Sequence, residues 1–301
     1  MKFRDEDSFV QDLCAQWPAN KSIHTGPGDD CALLQSDLKG WLDVIKTDAV
    51  VQEVHFTMQM LPRQIGRKAL ARVLSDFAAM GATPTAAVVA VGIPSEDLFP
   101  FIKKTYQGMA SLAAQYNVAL LGGETTQSAQ LTFCVSAIGK VKAPKAVLRS
   151  TAKESDLIYV TGKLGGSFPK RHLTFTPRLA EGQWLAAHGF ASAMMDLSDG
   201  LGKDLPRLAK ASSLSFEIEP SALPLNAGSS AENALNDGED YELLFTVPVK
   251  YAKRLEEKWP FKTKLTCVGR MLPKGAPNIT GGLKINGFDH LKILHNKKRK
   301  K

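Results

Sequence analysis

Apolar positions along this chain follow two periods. Over 65–80, Leu70, Val73, Leu74, Phe77 and Ala78 recur at helical spacing, which predicts an amphipathic helix with Asp76 at the border of its stripe. Gly81 and Pro84 follow as its stop signals. The same period predicts helices over 7–17 (through Phe9, Val10, Leu13, Cys14 and Trp17), over 98–116, which carries Tyr106, and over 203–211. Short apolar or β-branched runs predict strands at 31–34, 41–45, 85–93, 118–121, 131–138, 157–161, 216–218, 242–247 and 265–268. Residues 222–234, rich in Ser, Asn and Ala, read as a loop. A change of register near 152–156 sets an expected domain boundary, placed after residue 148.

Composition narrows the class. The 301 residues leave room for two domains, each with a core, and 44% hydrophobic with 23% charged residues is ordinary for a globular protein. No apolar run reaches the length of a membrane span. The first residues turn acidic at once and carry no apolar signal core, so the cytoplasm is the expected location. Cys14, Cys31, Cys134 and Cys267 are scattered without zinc-ligand spacing. Net charge is +8, but the last five residues are all basic, and without them 33 basic face 30 acidic side chains. The tail 297–301 therefore reads as a solvated end, and no nucleic-acid partner is expected.

Acidic signatures recur where apolar runs end. Asp196-Leu197-Ser198-Asp199-Gly200 would put Asp196 and Ser198 on one face of an extended segment, with a turn and a helix start behind them. Asp199 there is either a helix cap or part of a site for a hard cation such as Mg²⁺, which takes oxygen ligands. Asp29 and Asp30, adjacent at the mouth of a strand, form a turn or face something cationic. Thr47 and Asp48 join two apolar runs. His55 is a structural imidazole or faces a phosphate or ring. Gly122-Gly123-Glu124 ends a strand with two glycines that let a backbone come close to a bulky group such as phosphate. The loop 162–167 lacks the Gly-x-x-x-x-Gly-Lys-Ser/Thr spacing, and no Gly-x-Gly-x-x-Gly follows a strand.

Seven stretches in order, GDDCALL (28–34), TDAVVQEVHF (47–56), KALARVLSDFAAMGATP (68–84), GGETT (122–126), MDLSDGL (195–201), GEDYELLFTVP (238–248) and GFDH (287–290), resemble the thiamine-monophosphate kinase family. That family belongs to the superfamily of aminoimidazole ribonucleotide and selenophosphate synthetases. The resemblance covers most of the chain. It implies an α/β fold (α+β type) in two domains: 1–148 for ATP and Mg²⁺ binding and dimerisation, and 149–296 as a C-terminal α/β domain. It implies a homodimer whose N-terminal strands build a shared barrel. The implied activity is ATP-dependent, Mg²⁺-assisted phosphorylation of thiamine monophosphate to thiamine diphosphate.

By matched position, Asp30, Thr47, Asp48, Asp76, Glu124, Asp196 and Asp199 stand as Mg²⁺ ligands, with Lys46 at a further metal position. Tyr106, Gly123, Glu124, Arg149 and Ser198 stand as ATP contacts, and His55, Glu239 and Phe288 as substrate contacts. No catalytic group beyond these ligands is expected. Three residues depart from the family pattern. Lys46 replaces a Ser or Thr, so that one metal contact is missing or an ammonium replaces a cation. Glu124 replaces an Asp, and Asp237 a Gly, which reduces backbone freedom ahead of Glu239. The alternatives are another ATP-using enzyme of the superfamily, or a relative that binds nucleotide or thiamine phosphate without turnover.

Overall fold

The computed structural model describes residues 5–288. The tail 297–301, the end of the 149–296 segment, and Asp289 and His290 of the GFDH stretch lie outside the described residues. The first half contains α1 (Glu6–Cys14), β1 (Ile23–Thr25), β2 (Ala32–Gln35), β3 (Trp41–Val51), α2 (Pro62–Ala79), β4 (Thr83–Ile93), α3 (Phe99–Gln115), β5 (Ala119–Gln127) and β6 (Thr132–Lys142). Its strands form one sheet in the order β1-β2-β3-β6-β4-β5, antiparallel except for the β4–β5 pair joined through α3.

The second half contains β7 (Leu157–Thr161), α4 (Leu179–His188), β8 (Ala193–Asp196), α5 (Leu201–Ala211), β9 (Ser215–Ile218), α6 (Ala231–Asn236), β10 (Leu243–Val247), α7 (Val249–Lys258) and β11 (Leu265–Leu272). These strands make an antiparallel sheet, β8-β10-β7-β11-β9. The fold is mixed α/β, as expected.

The helix α2 positions the site. Its sequence shows one apolar stripe, yet 13 of its 18 residues are buried, Lys68, Ser75 and Asp76 among them. The reason is that it packs against β3 and β6, α3, α4 and β8 together, so its polar side is covered by the second half of the chain. Asp76 is thus no border residue: only 5% of it is exposed. The α2–α3 contact is close enough to require glycine, since a Cβ on Gly66 would lie 1.8 Å from the Thr105 carbonyl oxygen. Pro62 opens the helix at a position that needs no N–H, and Gly81, at φ 66°, follows its end.

The apolar core around α2 is continuous, running from Leu42, Val44 and Phe133 of the first sheet to Tyr159, Leu243 and Phe245 of the second. Alternation sends Ile158, Val160 and Leu244 to the opposite face, where Met195, Leu205 and Phe216 complete a second cluster under α5. The two halves share the first core because one helix is buried against both.

Several elements differ from the sequence reading. The strand expected at 41–45 continues to Val51, because the inward-facing Lys46 and Asp48 find partners on α2 instead of ending the strand. β5 runs on through Gly122 and Gly123. α6 lies partly in the expected loop, opened by a capping box between Ser230 and Asn233. α4, α7, β1 and β8 were not expected as elements; α7 buries only Ala252 and Leu255, too few to write a stripe.

Candidate active site

Four elements deliver carboxylates to one place. Asp30 precedes β2, Asp48 lies on β3, Asp76 in the last turn of α2, and Asp196 ends β8. Asp30, Asp76 and Asp196 are all buried, and each offers an oxygen within 4.8 Å of the others. Two cations already sit among them. Lys46 Nζ donates to Asp76 at 2.7 Å and lies 3.9 Å from Asp48. Arg149 grips Asp30 with Nε at 3.0 Å and Nη2 at 2.7 Å, while its backbone N–H donates to Asp29.

These cations do not balance the centre. Burial and the Asp30 charge push both Asp29 and Asp196 up to about 7. Burial likewise raises Asp76 far above the carboxylate range despite Lys46. Burial opposes the Lys46 charge, but Asp76 and Asp48 override it and hold the ammonium protonated. An oxygen-only donor set that is short of positive charge fits a hard divalent cation such as Mg²⁺.

Beside this centre lies a cavity of about 200 Å³ lined by His55, Arg72, Phe168, Ser198, Asp199, Glu239, Tyr241 and Phe288, among others. Glu239 and Tyr241 have φ of 56° and 51°, a conformation that non-glycine residues adopt at a cost and that here turns both toward the cavity. A buried group fixes the Glu239 carboxylate. Lys68, fully buried, donates to Glu239 (2.6 and 2.9 Å) and to the His55 carbonyl (2.8 Å), and its Nζ lies 2.8 Å from His172 Nδ1. Burial would raise Glu239, yet His172 and Lys68 together hold it down at about 2, so it is ionised. Burial pulls Lys68 down to about 8 against the Glu239 charge.

His172 Nε2 lies 3.1 Å from the Pro169 carbonyl oxygen, and its Nδ1 lies 2.9 Å from Glu239 Oε2, so the imidazole bridges that carbonyl and the carboxylate. The Phe168 ring stacks on His172 at 3.9 Å with half its surface exposed. On the far side, Arg207 and Lys203 hold Asp199 at 2.6 and 3.2 Å, and Lys203 also donates to the Phe288 carbonyl. The Phe288 N–H donates to the Asp199 carbonyl, which brings this segment over the cavity.

A carboxylate centre suited to cations lies beside a cavity with an ionised carboxylate and aromatic walls, a setting able to hold a charged group next to a ring. The thiamine-monophosphate kinase of Haemophilus influenzae is 36% identical to the chain over 90% of it and 93% of that relative. The chain belongs to the thiamine-monophosphate kinase family. Residues 28–141 match the family described as AIR synthase related protein, N-terminal domain. Among solved structures, AaThiL complexed with AMPPCP and TMP superposes with a TM-score of 0.83 at 26% identity, over 96% of this chain and 99% of that one. The thiamine-monophosphate kinase of Stenotrophomonas maltophilia gives 0.73 at 31% identity, covering 91% and 96%.

The positions matched to this kinase family fall into three groups. Asp30, Lys46, Asp48, Asp76, Asp196 and Arg149 meet at the carboxylate centre, and His55, Ser198, Asp199, Glu239 and Phe288 line the cavity. The other four stand apart. The Thr47 hydroxyl lies on the opposite face of β3 from Lys46 and Asp48, against Ser136 (2.9 Å) and Cys134. Tyr106 packs edge-on against Phe133. Gly123 and Glu124 lie on the exposed edge strand β5, where Glu124 accepts from the Thr125 N–H. β4 by itself requires glycine at 123: a Cβ there would sit 1.8 Å from the Val89 carbonyl oxygen. Asp237 has φ −70°, which any residue adopts, so this departure takes no needed freedom from the backbone.

Sequence reasoning missed Lys68, Arg72, Phe168 and His172. For the first two a signal existed: Lys68, Arg72 and Asp76 follow one another at intervals of four, a polar row between the apolar residues 69–71, 73, 74 and 77–79. Nothing local marks Phe168 and His172.

Proposed function

We propose that the chain transfers the γ-phosphoryl group of ATP to the phosphate of thiamine monophosphate, giving thiamine diphosphate and ADP. The observation that carries this reading is the convergence of Asp30, Asp76 and Asp196, drawn from both halves of the chain, beside a cavity that holds an ionised Glu239. Asp30, Asp48, Asp76, Asp196 and Asp199 would hold Mg²⁺. Bound, that ion supplies charge neutralisation to the phosphoryl oxygens. Thr47 and Glu124 enter as further ligands, and Tyr106, Gly123, Glu124, Arg149 and Ser198 as nucleotide contacts.

His55, Glu239 and Phe288 place the acceptor, with Glu239 directed at a cationic or amino-bearing ring. The attacking atom is a phosphate oxygen that is already ionised near neutral pH, so alignment and charge suffice and no general base is needed. Asp240 supplies none: its oxygens accept from the Gly165 N–H and from Ser167 Oγ (2.6 Å), and it does not line the cavity.

The homodimer belongs to the same reading. The outer face of the first sheet exposes Ile45, Val88 and Ile138, and Ile45 and Ile138 pair across β3 and β6. Exposed apolar side chains grouped on one sheet face fit burial against a second copy. The domain division at 148/149 and a cytoplasmic setting, where ATP is supplied, complete the proposal; no helix among the described residues is long and apolar enough to cross a membrane.

The test is Asp196→Asn. This change keeps the side-chain volume, and thiamine diphosphate formation should fall by at least about 100-fold while the melting temperature holds. Turnover retained in the variant contradicts the assignment, and nucleotide binding without product in the wild type favours the non-catalytic relative.

A further inference from the structure

Arg72 lines the cavity together with Glu239 and Tyr241, and its bonding is incomplete. Nη1 donates to the Ala49 carbonyl at 3.2 Å, but Nε is buried without a hydrogen-bond partner among the described residues. The carboxylate closest to Nε in an ion pair, Asp48, lies at 3.8 Å, beyond a hydrogen bond. A buried N–H of a guanidinium is costly to leave unpaired, and such a group calls for an acceptor. The neighbouring anions have cations of their own: Lys46 is on Asp76 and Lys68 is on Glu239. Arg72 has only the distant Asp48 as its counter-ion, and its Nε–H remains to donate to a ligand.

Its place on α2 says which part of a ligand it meets. Lys68, Arg72 and Asp76 stand four residues apart, a rise of about 6 Å per step along one face of the helix. The first step holds the Glu239 end of the cavity, and the third belongs to the carboxylate centre. We propose that Arg72, between them, binds the phosphate of the acceptor, a phosphate monoester whose organic part lies toward Glu239 and Phe288. This rests on the phosphotransfer reading above. A guanidinium offers two parallel N–H groups to phosphate oxygens, which fixes orientation as well as charge. Arg72 thereby turns the ester so that its phosphate faces the centre where the donor is held.

The experiment measures the Kd of thiamine monophosphate and of thiamine by calorimetry on the full chain and on Arg72→Met and Arg72→Lys, with a non-hydrolysable ATP analogue as a second ligand. The Met variant should bind thiamine monophosphate roughly 10- to 100-fold more weakly while thiamine stays within about twofold, so the phosphate-dependent part of binding collapses. The Lys variant, which keeps the charge and loses the fork, should fall between, and analogue binding should hold in both. An unchanged ratio of the two Kd values in both variants, or equal weakening of both ligands, overturns the proposal alone. A wild type that binds no thiamine monophosphate overturns it together with the reading it rests on.

Discussion

At the scale of single residues, charge placement decides the behaviour of the site. Lys46 stands where a cation is wanted, and its ammonium repels any ion bound by Asp76. Lys46→Ser should tighten Mg²⁺ binding at least about tenfold, read from the Mg²⁺ dependence of the melting temperature. Unchanged affinity would mean that the lysine swings clear when the ion arrives. Lys68→Met removes the ammonium that neutralises Glu239 and should destabilise the chain by about 3–5 kcal/mol, measured by denaturant unfolding.

The carboxylates also tie stability to pH. Asp29 and Asp196 have folded pKa values near 7, above the unfolded carboxylate value, so the folded state holds extra protons between those limits. Without metal, the melting temperature should therefore fall as pH rises from about 5 to about 8. The increase produced by Mg²⁺, which displaces those protons, should grow over the same window. A metal-free chain that gains stability across this range would show that the carboxylates are already balanced by Lys46 and Arg149. Glu239, held near 2, contributes a constant amount there.

At the scale of elements, α2 shows what a sequence conveys and what it does not. Its existence and its C-terminal end were legible, because the 3.6 period, Gly81 and Pro84 are local signals, while its start was read at Ile65 instead of Pro62. Its burial on all sides was not, because that depends on α4 and β8, more than 100 residues away. For the same reason Asp76 looked like a border residue, and Lys68 and Arg72 were not singled out. β3 was cut short at Ile45 since polar residues ordinarily end an apolar run; here they meet the polar row of α2. The helix contact itself is testable. Gly66→Ala puts a methyl group into the α3 backbone and should lower stability by about 1–3 kcal/mol in denaturant titration, whereas no loss would mean that the helices separate freely.

At the scale of the whole molecule, the site exists only because the two halves share a core. Asp30, Asp48 and Asp76 come from the first sheet and its helix, Asp196 and Glu239 from the second half. Motif order along the chain conveyed the members of this set, and only the fold shows which stand together and which four stand apart. The exposed face bearing Ile45 and Ile138 bears on assembly: Ile138→Asp should convert a dimer to a monomer in light scattering, and an unaltered mass would move the interface elsewhere.

The central claim is transfer from nucleotide to thiamine monophosphate, and ³¹P NMR of the full reaction with Mg²⁺ follows donor and acceptor at once. The expected spectrum gains the two resonances of thiamine diphosphate in step with those of ADP. Loss of ATP to ADP and inorganic phosphate, with the thiamine monophosphate resonance unchanged, would contradict it.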